Sequence, residues 1–150
     1  MKRIIKKTKL LRFYSVALLI LAAYDLITLL IGVLSDDFAM VTYEDALVQA
    51  VTNGIVVFVL ALSVVTILIG GYLGIKGILE CKKISAGTAH IVIAKIVGII
   101  NLVLAGFMFL ALFSSENLWD DITTLGICVV DAVFMFEYAK VAKAVRNGEE

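Results

Sequence analysis

Four apolar stretches, residues 13–34, 55–75, 88–113 and 122–139, constrain this chain more than any other feature of it. A helix needs about 20 apolar residues to cross a hydrocarbon core roughly 30 Å thick. Each stretch approaches or exceeds that length, the last being the shortest. Inside a bilayer the chain must satisfy its own backbone N–H and C=O groups, and spans this long do so as helices, not as barrel strands. The expected fold is an all-α integral membrane protein, one four-helix transmembrane bundle over residues 1–150. Composition agrees, with 62% hydrophobic residues, 17% charged and a mean hydropathy of +1.06, well outside the range of an ordinary soluble domain.

Charge placement predicts the orientation. Lys2, Arg3, Lys6, Lys7, Lys9 and Arg12 precede the first span, Lys76, Lys82 and Lys83 follow the second, and Lys140, Lys143 and Arg146 follow the fourth. The remaining cation, Lys95, lies inside the third span. The loops after spans one and three carry Asp36, Asp37, Glu44, Asp45, Glu116, Asp120 and Asp121 without a lysine or arginine. The positive-inside rule then puts the N- and C-termini in the cytoplasm. Phe38, Tyr43 and Trp119 fall near the outer interface and Phe13, Tyr14, Tyr72 and Tyr138 near the inner one, as aromatic belts do. In length, lysine-rich inner ends and hydropathy the chain resembles small four-span bacterial inner-membrane proteins. That resemblance implies a bacterial cytoplasmic (plasma) membrane and neither a ligand nor a catalytic residue.

The basic head followed by an apolar run invites a signal-peptide reading. The run continues past Ala22 and Ala23 to Leu34, which is too long for one, so it is read as an uncleaved first span. The basic segment 1–12 places Met1, Ile4, Ile5, Thr8 and Leu11 on one helical face, so it can lie on an anionic inner leaflet or serve as a plain topology signal. Thr42 with Asp45 and Asn117 with Asp120 have the spacing of helix N-terminal caps. Residues 43–52 read as an outer amphipathic helix or an extension of span two, with a break at Asn53-Gly54. The absence of proline favours continuous helices over re-entrant ones.

Several classes of function find no support. The 13 Lys plus Arg balance 13 Asp plus Glu, which argues against a nucleic-acid partner. Cys81 and Cys128 have no CxxC or CxxH spacing, and His90 is the single histidine, so neither a disulfide framework nor a metal site is expected. No GxSxG, HExxH or Walker sequence is present, and GGYLGIKG lies at the inner end of an apolar span with no strand before it. No catalytic residue and no cofactor are therefore predicted.

The informative residues are those that lipid should exclude. Asp25, Thr66, Asn101 and Asp131 fall at the centres of the four spans and suggest one shared polar layer. An ionised Asp there costs on the order of 2.5 to 3.5 kcal/mol on insertion scales, so these groups should face the interior, stay protonated, or both. Helical spacing predicts inward stripes: Leu18, Leu21, Asp25, Thr28 and Gly32; Ser63, Thr66, Gly70, Gly74 and Gly77; His90, Ala94, Gly98, Asn101 and Ala105; Thr124, Cys128, Asp131, Met135 and Tyr138. Gly70-x-x-x-Gly74 and Ala94-x-x-x-Gly98 are small-residue pairs that let helix backbones approach. They fit a hairpin of spans two and three, which is favoured here, or a dimer face. Lys95 and Glu137 share the cytoplasmic half and suggest a structural ion pair; alternatively, with Asp25 and Asp131, they form a proton or cation path.

The leading expectation is a non-enzymatic membrane protein acting through helix contacts, an accessory subunit, assembly factor or immunity-type protein with a membrane partner or a second copy of itself. Its rival is a small oligomeric transporter or channel that uses the midplane carboxylates for proton or cation coupling.

Overall fold

The computed structural model describes residues 2–35, 46–82, 87–113 and 117–148. It contains α1 (Lys2–Leu34), α2 (Ala46–Cys81), α3 (Ala89–Ala111) and α4 (Leu118–Asn147), and no strand among the described residues. All four helices are long and apolar enough to cross a membrane, the makeup of an integral membrane protein. The expected cap at Thr42 and Asp45, the aromatic residues Phe38 and Tyr43, and the acidic Asp36, Asp37, Glu44 and Glu116 lie outside the described residues.

At about 1.5 Å per residue, the 33 residues of α1, 36 of α2 and 30 of α4 exceed a hydrocarbon core, whereas the 23 of α3 roughly match it. The basic segment is not a separate surface helix, because it forms the first turns of α1. Leu11 is fully buried there, and the Cys81 thiol at the end of α2 donates to the Thr8 carbonyl at 3.5 Å. Nor does α2 break at Asn53-Gly54. A helical glycine costs only about 1 kcal/mol, whereas breaking the helix would leave several backbone groups without partners. Asn53 itself is half-buried on the packed side of α2.

The helix ends follow local chemistry. Gly87, at φ 72°, supplies the left-handed turn that leads into α3. Asn117 holds the N-cap position of α4 without a side-chain cap bond, and Asp120 and Asp121 in the first turn oppose the positive end of the helix dipole. Gly148 closes α4 in the left-handed conformation, its N–H donating to the Val145 carbonyl at 3.3 Å.

The chain divides into two compact units, Val16–Ile75 and a second composed of Met1–Ser15 with Lys76–Glu150. The first contains the apolar lengths of α1 and α2. The second contains both basic termini and the packed pair α3 and α4.

Each helix buries or half-buries a seam whose positions alternate by three and four residues. In α1 it runs through Leu11, Ser15, Leu18, Ala22, Asp25, Leu29 and Gly32. In α2 it includes Val56, Leu60, Ser63, Ile67, Gly70, Gly74 and Gly77; in α3, Ile91, Ala94, Gly98, Asn101, Ala105 and Met108; in α4, Leu125, Cys128, Ala132, Met135, Ala139 and Ala142. A mean spacing of 3.5 residues is the signature of left-handed, knobs-into-holes packing in membrane and soluble bundles alike. Other faces carry exposed large apolar groups such as Phe58 and Phe107, which a hydrocarbon solvent accepts and water does not.

These seams correct three of the expected stripes. On α1, Leu21 and Thr28 are exposed, and Ala22 and Leu29 take their places. On α2, Thr66 is exposed and Ile67 lies on the seam. On α4, Thr124 and Asp131 are exposed, and the seam passes through Leu125 and Ala132. At Ala22 and Ala132 the small residue wins because, without a hydrophobic drive between helices in lipid, close backbone approach decides which faces meet; Leu29 and Ile67 lie on the same phase as the small residues Ala22 and Gly70.

Candidate functional site

Within Val16–Ile75, the close approach of α1 and α2 is made at Ala22 and Gly70. A Cβ on Gly70 would stand 3.4 Å from the Ala22 Cβ and 3.8 Å from the Leu18 carbonyl oxygen, ordinary van der Waals contact. One turn farther along α1, the seam becomes polar. Asp25 and Thr28 of α1 and Ser63 and Thr66 of α2, with Leu29, Leu62 and Ile67, line a groove of about 360 Å³. Asp25 is half-buried in it. The Ser63 hydroxyl donates to the Val59 carbonyl at 2.9 Å, and the Thr66 hydroxyl to the Leu62 carbonyl at 3.0 Å. Each bond takes the single hydroxyl proton and leaves the oxygen an acceptor. Two of the four expected midspan polar residues, Asp25 and Thr66, thus meet around one groove.

The other unit holds a second polar centre, where Gly77 lets three helices converge. A Cβ there would overlap the Ser15 hydroxyl of α1 and lie 2.9 Å from the phenol oxygen of Tyr138 on α4. Ser15 is fully buried and donates to the Leu11 carbonyl at 2.7 Å. Tyr138 is also fully buried and meets His90 of α3 edge-on, with ring centroids 6.2 Å apart. Among the described residues, both ring nitrogens of His90 and Oε2 of Glu80 are buried without a hydrogen-bond partner. Sequence reasoning missed Ser15 and Glu80. The seam spacing from Leu11 through Leu18 marks Ser15, whereas Glu80 lies past the apolar run of span two, in the turns by which α2 continues through Cys81.

The remaining candidates are dispersed. Glu137 pairs not with Lys95 but with Lys140, one turn along α4, at 3.2 Å. A partner on the same helix face is in reach without spanning an interhelical gap. Lys95 is exposed. Glu137 borders an apolar groove of about 280 Å³ with Tyr14, Val129, Val130, Val133 and Phe134, and the Tyr14 and Phe134 rings meet edge-to-face at 4.9 Å. Asn101 is half-buried and Asp131 exposed.

Among the small residues, Ala94 is fully buried and Gly74 is buried. A Cβ on Gly98 would lie 3.2 Å from the Phe136 ring of α4. Gly70 therefore meets α1 within its unit, and Gly98 meets α4 within the other. Cys81 and Cys128 are free thiols, and among the described residues no group of three or more His, Cys, Asp or Glu side chains could hold a metal ion. The chain matches no family model, no curated protein and no solved structure.

Proposed function

We propose that this protein is a small, non-enzymatic transporter or channel of a bacterial cytoplasmic membrane, with its termini in the cytoplasm, that binds a proton or cation at the Asp25 groove. The observation that carries the reading is the gathering of Asp25, Thr28, Ser63 and Thr66 around one groove between α1 and α2. A carboxyl group in a membrane-spanning segment is expensive unless it is protonated, paired or in use. The small-residue pairs find contacts within the chain, Gly70 at Ala22 and Gly98 at Phe136, so they supply no separate argument for a partner protein.

The test is flux in proteoliposomes containing the purified full chain, with a pH-sensitive dye inside and an imposed proton or alkali-cation gradient. Expected is a flux above empty liposomes that Asp25→Asn abolishes and that Asp131→Asn, outside the groove, preserves. Absence of flux from the native chain, or full flux in Asp25→Asn, overturns the proposal. Native mass spectrometry counts the copies, because a groove lined by two helices needs further walls to become a path across the bilayer.

A further inference from the structure

We infer that the groove is built for a small monovalent cation and against anions, divalent metals and hydrogen-bond-accepting solutes. The inference rests on the reading of the Asp25 groove as the working site and specifies what occupies it. Its basis is the direction of the hydrogen bonds. A hydroxyl has one proton and two lone pairs, so it can serve either a donor or an acceptor until its proton is committed. Here the Ser63 proton goes to the Val59 carbonyl and the Thr66 proton to the Leu62 carbonyl. Their oxygens present lone pairs alone to anything in the groove. Asp25, when ionised, also only accepts.

A ligand that arrives with lone pairs of its own, such as an anion or a carbonyl compound, meets the Asp25 carboxylate and two hydroxyl oxygens whose protons are committed elsewhere, with only Thr28 left to offer one. A cation meets hard oxygen ligands, the donor set that alkali and alkaline-earth ions take. Charge then chooses between them. The groove contains one carboxylate, which balances one positive charge and leaves a divalent ion half-compensated in a medium of low dielectric. Calcium moreover takes six to eight oxygens, commonly from several carboxylates, and magnesium demands near-octahedral order. No group of three acidic, thiol or imidazole side chains lies together among the described residues. A monovalent ion neutralises Asp25 and tolerates the mixed carboxylate and hydroxyl set, with its remaining coordination filled by water or Thr28.

The test reads binding directly and without flux. The purified full chain in detergent is unfolded thermally at constant ionic strength and fixed pH in lithium, sodium, potassium or N-methylglucamine chloride. A magnesium chloride arm and a series of sodium salts with different anions complete the set. Expected is a saturable rise in Tm with at least one alkali cation over N-methylglucamine, indifferent to the anion and not reproduced by magnesium. Asp25→Asn removes it. Thr66→Val weakens the apparent affinity several-fold; Val is close in shape to Thr and Thr66 is exposed, so this variant keeps the test open if Asp25→Asn fails to fold.

Equal Tm in all chlorides, a stronger response to magnesium, an anion-dependent response, or full cation dependence in both variants overturns the inference. Proton flux that needs Asp25, without any alkali-cation effect on Tm, overturns it while leaving the proposed transport function standing. An alkali-cation effect on Tm without any flux does the reverse.

Discussion

Replacing Gly77 by alanine tests the convergence of α1, α2 and α4 with the smallest possible perturbation. The added methyl would overlap the Ser15 hydroxyl and stand 2.9 Å from the Tyr138 phenol oxygen and 3.1 Å from its Cε2. Ser15 can yield only by giving up its 2.7 Å bond to Leu11, a loss of about 1 kcal/mol. Tyr138 is fully buried, and overpacking of this kind costs ~1–3 kcal/mol. Alanine returns up to about 1 kcal/mol through its better helix propensity. The net expectation is a destabilisation of ~1–3 kcal/mol.

The assay is equilibrium unfolding in mixed micelles titrated with a denaturing detergent, with Gly126→Ala as comparator. Nothing lies within 4 Å of a Cβ at Gly126, so that variant should gain up to about 1 kcal/mol, a change of opposite sign. Adding Ser15→Ala to Gly77→Ala removes the nearest overlap and should recover about 1 kcal/mol, a coupling that a double-mutant cycle reads directly. Gly77→Ala as stable as Gly126→Ala, or no recovery in the double variant, would refute the close approach.

Leu11→Ala, at a position with 0% exposure, should cost ~2–5 kcal/mol in the same assay, whereas a basic head lying loose on the membrane would show no such loss. His90→Phe should change stability by no more than ~2 kcal/mol, because among the described residues neither ring nitrogen makes a hydrogen bond; a larger loss would reveal a partner bound to the ring. Lys140→Ala should change stability by no more than ~0.5 kcal/mol, since its pair with Glu137 leaves the lysine side chain 74% exposed. A larger loss would give that pair a structural role its exposure does not suggest.

The parts of the fold that were legible from sequence are those that follow from length and hydropathy. Four apolar runs of spanning length leave the backbone little choice but helix, and α3 was read position by position. There His90, Ala94, Gly98 and Ala105 are all buried, because its small residues and its polar ones coincide on one face. On α4 they do not coincide. Choosing the face from the polar residue selected Asp131, while packing selected Ala132, a neighbour about 100° away around the helix. The groove was half legible: Asp25 and Thr66 stood out as polar residues at midspan, but their meeting depends on the phase at which Ala22 meets Gly70. The Glu137 partner was misjudged because a cross-helix pair was preferred to the shorter route along one helix.

The seam of α1 has a consequence for how this chain can vary in length. Leu11, Ser15, Leu18, Ala22, Asp25, Leu29 and Gly32 keep a single phase through the helix. Inserting or deleting one residue between Leu18 and Asp25 turns everything beyond it by about 100°, which would swing Asp25 out of the groove while leaving hydropathy and span length nearly untouched. A gain or loss of seven residues preserves the phase instead. Related chains should therefore tolerate many exchanges of one apolar residue for another on the outer faces, yet admit length changes in this helix only in steps that keep its phase, even though a hydropathy profile would register no difference.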